Sequence, residues 1–112
     1  MATKVMSDIY QRKFDRESPM FSEEALEYNL FYLHARKKEI TMSIKARKYE
    51  TLNNVCRILG VREFVDGNYI GWIDNEPTPF HVEPVDKDDT CTDINIIFDD
   101  LVLLNMNEIL GE

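Results

Sequence analysis

Nucleophilic catalysis in this sequence would have to use a cysteine activated by a histidine. A thiolate becomes an effective nucleophile when a general base lies beside it. The chain contains two cysteines, Cys56 and Cys91, and two histidines, His34 and His81. Cys56 falls on the apolar side of a predicted helix, where burial would keep its thiol protonated and unreactive. A thiol-dependent enzyme would therefore depend on Cys91 and His81, which a predicted hairpin could bring together.

The acidic run DKDDTCTD at 86–93 resembles a calcium-binding loop in composition. A twelve-residue calcium loop that starts at Asp86 needs glycine at its sixth position and glutamate at its twelfth. The chain has Cys91 and Ile97 at those two positions. We therefore interpret the run as a charged turn exposed to solvent and predict no metal site.

Paired carboxylates are the other candidate chemistry. Asp99, Asp100 and Glu108 could supply a general acid and a general base, but adjacent residues on a strand point to opposite faces. The sequence also lacks a glycine-rich loop of the kind that binds phosphate groups. We therefore predict a protein that is not an enzyme and needs no cofactor.

Length and composition indicate one small folded domain. The chain has 112 residues, of which 44% are hydrophobic and 30% are charged, the balance of a globular rather than a disordered chain. No apolar run approaches the roughly 20 residues that span a bilayer, and the first residues, MATKVMSDIYQRKF, lack the apolar core of a signal peptide. We expect a cytoplasmic protein with reduced cysteines and no membrane contact.

Charge is distributed unevenly along the chain. The net charge of −8 argues against direct binding of nucleic acid or anionic lipid. Residues 1–62 contain 12 Lys and Arg against 8 Asp and Glu, whereas residues 63–112 contain one Lys against 13 Asp and Glu. Either the two halves attract each other within one fold, or the acidic half is a docking surface for a basic partner.

The longest predicted element is an amphipathic helix from about Glu23 to about Ala46. Ser22 is a candidate N-cap, because its hydroxyl can accept a hydrogen bond from an amide of the first turn. Apolar residues recur at helical spacing on one face: Leu26, Leu30, Leu33, Ile40 and Ile44.

Three aromatic side chains, Tyr28, Phe31 and Tyr32, widen that apolar face beyond what one short helix could cover. Two interpretations remain open. The aromatic residues either belong to the core of the domain or contact a partner or a second copy of the chain.

A second, short helix is predicted between Thr51 and Gly60. The Thr51 hydroxyl can cap its first turn, and Gly60 follows its last turn, where a left-handed residue usually ends a helix. One face of this helix is apolar: Leu52, Val55, Cys56 and Leu59. Beyond a turn at 66–67, residues 68–73 favour a strand, in which Gly71 indicates a bulge or a close backbone approach.

Two further strands flank the charged turn. Residues 80–85 alternate between apolar and polar side chains, and Pro84 places that strand at a sheet edge or end. Residues 94–98 are the most strand-like run, and we predict that they pair with 80–85 as a hairpin. Residues 101–104 are expected to extend the second strand, and 105–111 to add a last helical turn.

The expected fold class is α+β. One long amphipathic helix and one short capped helix would pack on a small, mainly antiparallel sheet of three to four strands. Residues 1–21 mix charges with scattered aromatic residues and are predicted as an N-terminal arm that packs through Tyr10 and Phe14. Residues 22–112 are predicted as a single domain.

Several positions resemble the C-terminal domain of an uncharacterised protein family of phages and prophages of Firmicutes and related gut bacteria. They are YETLN at 49–53, LG at 59–60, Gly67 and GW at 71–72, where the family reads Y-x-[ST]-L-N, L-G and G-x-x-x-G-W, followed by two strands. The segment with IY at 9–10, RKF at 12–14 and a helix through Ala25 and Asn29 is similar to the start of that domain. The resemblance covers about residues 9–104.

Two departures separate this chain from those relatives. The relatives usually carry a hydrophobic N-terminal region, which this chain lacks, and often a proline-cysteine before the last strand, where this chain has TCT at 90–92. The resemblance implies an origin in a mobile element and no catalytic activity.

These observations predict a non-enzymatic phage or prophage protein that binds another protein in the cytoplasm of a bacterial host cell. We expect its acids to occupy a basic protein surface, such as that of a nucleic-acid-binding effector, and so to inhibit a host defence system as an anti-CRISPR protein does. The protein is expected to be a monomer or a homodimer. The residues expected to bind the partner are Asp74, Glu76, Asp86, Asp88, Asp89, Asp99 and Asp100.

Two alternatives come from other functional classes. The first is a structural or assembly component of a virion that self-associates through Tyr28, Phe31 and Tyr32. The second is the thiol-dependent enzyme built on Cys91 and His81.

Overall fold

The computed structural model describes residues 3–5, 9–89 and 91–104. These residues include two helices and six strands. In chain order they are β1 (Gln11–Phe14), α1 (Leu26–Arg47), β2 (Tyr49–Thr51), α2 (Leu52–Leu59), β3 (Ile70–Ile73), β4 (Phe80–Pro84), β5 (Ile94–Phe98) and β6 (Val102–Leu103). The strands form two antiparallel three-stranded sheets, ordered β1-β5-β4 and β2-β3-β6. The predicted α+β class is confirmed, whereas the prediction of a single sheet is wrong.

The chain leaves one sheet for the other directly after β5. Asp100 has a left-handed backbone with a φ of 54°, and Val102 then pairs with Gly71 of β3. The prediction that 101–104 extend the strand is wrong, because a left-handed residue interrupts an extended backbone. The predicted last helical turn, 105–111, lies outside the described residues.

Helix α1 begins at Leu26 rather than at Glu23, and Ser22 does not cap it. The residue before the helix is Ala25, which makes no side-chain capping hydrogen bond. The buried side-chain amide of Asn29 instead donates to the Ser22 carbonyl and accepts from the Ser22 amide, both at 2.8 Å. This two-point contact pins Ser22 beside the first turn of the helix, so that the chain enters α1 only after it.

Apolar side chains lie on both sides of α1. Its buried residues face the core: Asn29, Leu33, Ile40 and Ile44. Phe31 and Met42 project from the opposite side and are 74% and 70% exposed. The helix therefore differs from the predicted one, which had a single apolar face.

The short helix α2 follows its sequence pattern. The Thr51 hydroxyl accepts a hydrogen bond from the Asn54 amide at 3.2 Å, and Gly60 ends the helix with a φ of 74°. The four residues of the predicted apolar face are all fully buried: Leu52, Val55, Cys56 and Leu59. Both caps and the buried face are confirmed.

Strands β2 and β3 approach each other closely where Glu50 pairs with Trp72 and Thr51 pairs with Gly71. A Cβ atom on Gly71 would overlap the carbonyl oxygen of Glu50, which is a backbone atom and cannot rotate away. The close backbone approach predicted at Gly71 is therefore confirmed.

The Glu50 carboxylate anchors this junction from inside. It is buried, and it accepts hydrogen bonds from Arg47 at 3.1 Å, from the Ser43 hydroxyl at 3.4 Å and from the Thr51 amide at 3.0 Å. These contacts join the last turns of α1 to β2 and to the start of α2.

The predicted hairpin is confirmed. Strand β4 pairs with β5 in an antiparallel register that runs from Phe80 opposite Phe98 to Pro84 opposite Ile94. Because β4 lies at the edge of its sheet, Pro84 occupies the kind of position where a missing amide donor is tolerated. The other edge is β1, which lies in the segment predicted as an arm, and Phe14 at its end is fully buried.

Aromatic rings form the centre of the core. Phe98 contacts three of them, with ring centroids 6.1 Å from Phe64, 6.3 Å from Trp72 and 6.3 Å from Phe80. The Trp72 indole also donates to the Asp99 carbonyl at 2.6 Å. Since Phe98 belongs to one sheet and Trp72 to the other, these contacts hold the two sheets together.

The first prediction concerns Gly71. We expect Gly71→Ala to lower the free energy of unfolding by about 2 kcal/mol or more, because β2 must move to admit the new methyl group. Gly60→Ala is the comparison, since its cost is mainly that of a left-handed alanine, about 1 kcal/mol. Urea denaturation followed by the fluorescence of Trp72 gives both values, and equal losses would contradict the close approach.

The second prediction concerns Cys56. Burial raises the pKa of the Cys56 thiol to about 12, whereas an unfolded thiol titrates near ~8.5. Between these values the folded state keeps a proton that the unfolded state has lost, so stability falls as the pH rises. We expect the urea midpoint to fall less between pH 8 and pH 10 in Cys56→Ala than in the wild type.

A thiol-reactive dye supplies the control for that experiment. We expect the native protein at pH 8 to react at the exposed Cys91 alone and the urea-unfolded protein to react at both cysteines. Fast labelling of Cys56 in the native protein would show that the thiol is not buried.

Candidate functional site

Three exposed carboxylates, Asp86, Asp88 and Asp89, lie on the turn that joins β4 to β5. Side-chain hydrogen bonds hold this turn, which we name the acidic tip (residues 86–89). Asp86 accepts from the Asp88 amide at 3.0 Å, and Asp89 accepts from the Cys91 amide at 2.9 Å. The buried Thr92 hydroxyl accepts from the Asp86 amide at 2.9 Å. The turn is therefore shaped by its own polar residues, and the predicted exposure of the charged turn is confirmed at residues 86–89.

Two further contacts fix the acidic tip to the body of the protein. The Val85 amide donates to the Asp93 carbonyl at 2.9 Å, which closes the end of the hairpin. The Cys91 thiol donates to the Glu23 carbonyl at 2.7 Å, so the tip is connected to the segment that enters α1.

The remaining four predicted acids lie at the other end of the hairpin. Three of them have structural partners, and the fourth has a left-handed backbone. Asp74 forms an ion pair with Lys48 at 3.2 Å, and Asp99 contacts the Nδ1 atom of His81 at 2.6 Å. Asp100 accepts from the backbone amide of residue 78 at 2.8 Å. Glu76 is exposed and has a left-handed backbone with a φ of 59°.

The structure thus divides the predicted partner-binding residues into two groups. The acidic tip follows β4, whereas residues 74, 76, 99 and 100 lie beyond its opposite end. Strand β4 has five residues, which at ~3.3 Å per residue separates the groups by roughly 15 Å. The tip is the more exposed of the two and contains no ion pair with a described lysine or arginine.

Charge pairing within the fold accounts for few of the acids in the second half of the chain. Among the described residues, the ion pairs with Lys or Arg that join the halves are Lys48 with Asp74 and Arg57 with Glu63. Basic residues of α1 also pair locally, as Arg36 does with Glu39 at 2.7 Å. Most of the described acids of the second half therefore form no ion pair with a lysine or an arginine.

The structure does not bring His81 and Cys91 together. His81 lies opposite Ile97 near the far end of the hairpin, and its ring nitrogens face Asp99 and Glu83. The Cys91 thiol lies beyond the hairpin's other end, against the segment that enters α1. The residues of β4 after His81 span roughly 10 Å, so the proposed thiol–imidazole pair does not form.

Two of the three predicted self-association residues lie at the surface. Tyr28 is 51% exposed and Phe31 is 74% exposed. Tyr32 is only half-buried and stacks on the core residue Phe14, with ring centroids 5.7 Å apart and planes inclined by 14°. Tyr32 is therefore mainly a packing residue.

A groove runs between α1 and the edge strand β4 and has a volume of about 390 Å³. Its lining is apolar apart from two histidines and one lysine: Leu30, Phe31, Leu33, His34, Lys37, Phe80, His81 and Val82. The Lys37 ammonium lies 5.8 Å from the centre of the Phe80 ring. A shallower depression continues along α1 past His34 to Met42.

Sequence reasoning missed Met42 and this groove. The signal for Met42 was available, since it follows Tyr28 by two heptads and Phe31 by eleven residues, spacings that place all three on one side of the helix. The groove itself depends on which strand lies beside α1, and no local pattern encodes that neighbour.

The described residues give no support to a metal centre or to a membrane span. No group of three or more His, Cys, Asp or Glu side chains in the described ranges is arranged to hold a metal ion. No helix found there is long and apolar enough to cross a bilayer.

Comparison with known proteins places the chain in a family. A family model described as a family of unknown function, DUF6353, matches residues 2–107. No curated protein and no solved structure gives a significant match. Because the model covers nearly the whole chain, the protein belongs to the family of unknown function DUF6353.

Proposed function

We propose that this protein is a non-enzymatic, phage or prophage binding protein whose acidic tip occupies a basic surface of another protein. Its activity is inhibition of a host defence system, in the way that an anti-CRISPR protein blocks its effector. The observation that carries the proposal is the acidic tip itself, where three exposed carboxylates lie on a turn held by side-chain hydrogen bonds.

A turn held by side-chain hydrogen bonds favours binding for an entropic reason. Association costs free energy whenever a flexible loop must be ordered. The Asp86 and Asp89 carboxylates already shape the backbone, and the Cys91 thiol ties the turn to the body of the protein. The tip can therefore present its charges to a partner with little further ordering.

The preferred partner is a protein that binds nucleic acid. Such proteins carry basic surfaces that neutralise phosphate groups, and complementary charge increases both the association rate and the specificity of a complex. A protein that occupies such a surface with carboxylates excludes the nucleic acid. The resemblance to a phage family supports a target in the defences of the bacterial host.

The third prediction tests the acidic tip with a variant that preserves the turn. Asp86→Asn/Asp88→Asn/Asp89→Asn removes three charges but keeps the side-chain oxygens that accept the turn hydrogen bonds. We expect it to lose about tenfold or more in affinity for the partner, together with most of the salt dependence of binding. The partner is first captured from nuclease-treated lysate of the bacterial host and identified by mass spectrometry.

The matched control is Glu39→Gln/Glu63→Gln/Glu76→Gln, which removes the same number of charges from exposed positions outside the acidic tip. We expect this control to bind the partner nearly as well as the wild type does. Equal loss in both triple variants would show that only net charge matters, and unchanged affinity in both would refute the proposed surface. Nucleic acid should compete with the wild-type protein for the captured partner.

A virion structural or assembly component remains the second candidate. The exposed side of α1, with Tyr28 and Phe31, favours it, because apolar patches on soluble proteins commonly mark contact surfaces. Light scattering separates the candidates. A large, ordered assembly of the purified protein would favour the virion component, whereas a monomer or dimer would favour the inhibitor.

A further inference from the structure

A stripe of side chains on the outer side of α1 repeats every three and four residues alternately. We name it the outer stripe, and its members are Tyr28, Phe31, Ala35, Lys38, Met42 and Lys45. This is the spacing of the a and d positions of a coiled coil, where two helices pack along a shared seam. The stripe lies on a single continuous helix, because α1 runs from Leu26 to Arg47 without a break.

The outer stripe lies opposite the face that α1 buries in its own domain. A helix turns about 100° per residue, which places Phe31 and Met42 on the side away from Leu33 and Ile40. Phe31 is 74% exposed and Met42 is 70% exposed. With Tyr28, which is 51% exposed, these side chains leave apolar surface along the outer side of the helix.

We propose that a second copy of this chain covers the outer stripe, with the two α1 helices antiparallel about a two-fold axis. In that register Phe31 of each copy packs on Met42 of the other, an aromatic–sulfur contact of a favourable kind. Ala35 lies opposite Lys38, whose aliphatic stem covers it while the ammonium reaches water. Tyr28 lies opposite Lys45 in the same way. The groove beside Phe31 gives room for the partner's side chains.

Charge selects the antiparallel arrangement. The first turn of α1 carries Glu27, and its last turn carries Lys45 and Arg47. An antiparallel pair places Glu27 of each copy beside the basic end of the other, and it also opposes the two helix dipoles favourably. A parallel pair would instead place Lys45 beside Lys45, and like charges on facing positions repel, whereas the two Lys38 residues lie near each other in either arrangement.

The proposed dimer is limited to two chains, and it determines where the two acidic tips lie relative to each other. A two-fold contact uses the same surface on both copies, so it ends at two chains and does not propagate into a filament. The acidic tip is tied to the segment that enters α1 through Cys91 and Glu23. Antiparallel helices of 22 residues therefore place the two tips at opposite ends of a rod of about 33 Å, which suits bivalent binding.

The fourth prediction tests the dimer by mass. We expect sedimentation equilibrium to give twice the 13.2 kDa mass of the chain at micromolar concentration. Phe31→Asp should weaken dimerisation about tenfold or more, because it removes the largest apolar side chain from both Phe31–Met42 contacts. The matched control is Val65→Asp, which changes a fully exposed apolar residue of another surface and should leave the dimer intact.

Cysteine cross-linking tests the orientation. In a Cys91→Ser background, a mixture of the Phe31→Cys and Met42→Cys chains should form a disulfide-linked heterodimer on oxidation. Each variant alone should not, because two copies of residue 31 in the antiparallel pair lie about 16 Å apart, beyond disulfide reach. Cross-linking of Phe31→Cys with itself would overturn the antiparallel register.

Two other results would overturn the proposal as a whole. One is a wild-type monomer at a concentration of about 100 μM or more, since a dimer with two Phe31–Met42 contacts should persist there. The other is an unlimited assembly, which a closed two-fold contact does not allow. Loss of the dimer in Phe31→Asp with unchanged binding of the partner by the acidic tip would separate this inference from the proposed function.

Discussion

The close contact of β2 with β3 at Glu50 and Gly71 is the constraint on which the rest of the fold depends. Strand β2 is a three-residue link between α1 and α2, so its position determines where both helices lie. Gly71 lets the two backbones meet, and the buried Glu50 carboxylate ties the end of α1 to the same point. A substitution that separates β2 from β3 would displace both helices from the β2-β3-β6 sheet.

The second constraint joins the two sheets. The ring of Phe98 packs between Phe64, Trp72 and Phe80, and the left-handed turn at Asp100 then carries the chain into the other sheet. The hairpin of β4 and β5 is consequently held at its base and projects the acidic tip at its far end. This architecture explains why the tip is exposed while the acids at the base serve turns and ion pairs.

The two proposed binding surfaces differ in their physics. In the proposals, the acidic tip binds through charges on a turn held by side-chain hydrogen bonds, and the outer stripe of α1 binds through apolar contacts flanked by charged helix ends. Both meet near the start of α1, where Cys91 contacts Glu23. Helix α1 therefore connects the core, the proposed dimer contact and the acidic tip.

The sequence by itself determined the features that depend on neighbouring residues: the caps of α2 at Thr51 and Gly60, its buried face, the hairpin and the glycine at a close approach. Helix periodicity, capping and strand alternation are local, so they can be read without a partner. Only the tertiary structure decided that 101–104 join the second sheet, that Asn29 displaces Ser22 from the cap, and that His81 lies far from Cys91. Those outcomes depend on contacts between residues distant in the chain. A local pattern does not specify which distant apolar or polar residue a given side chain will contact.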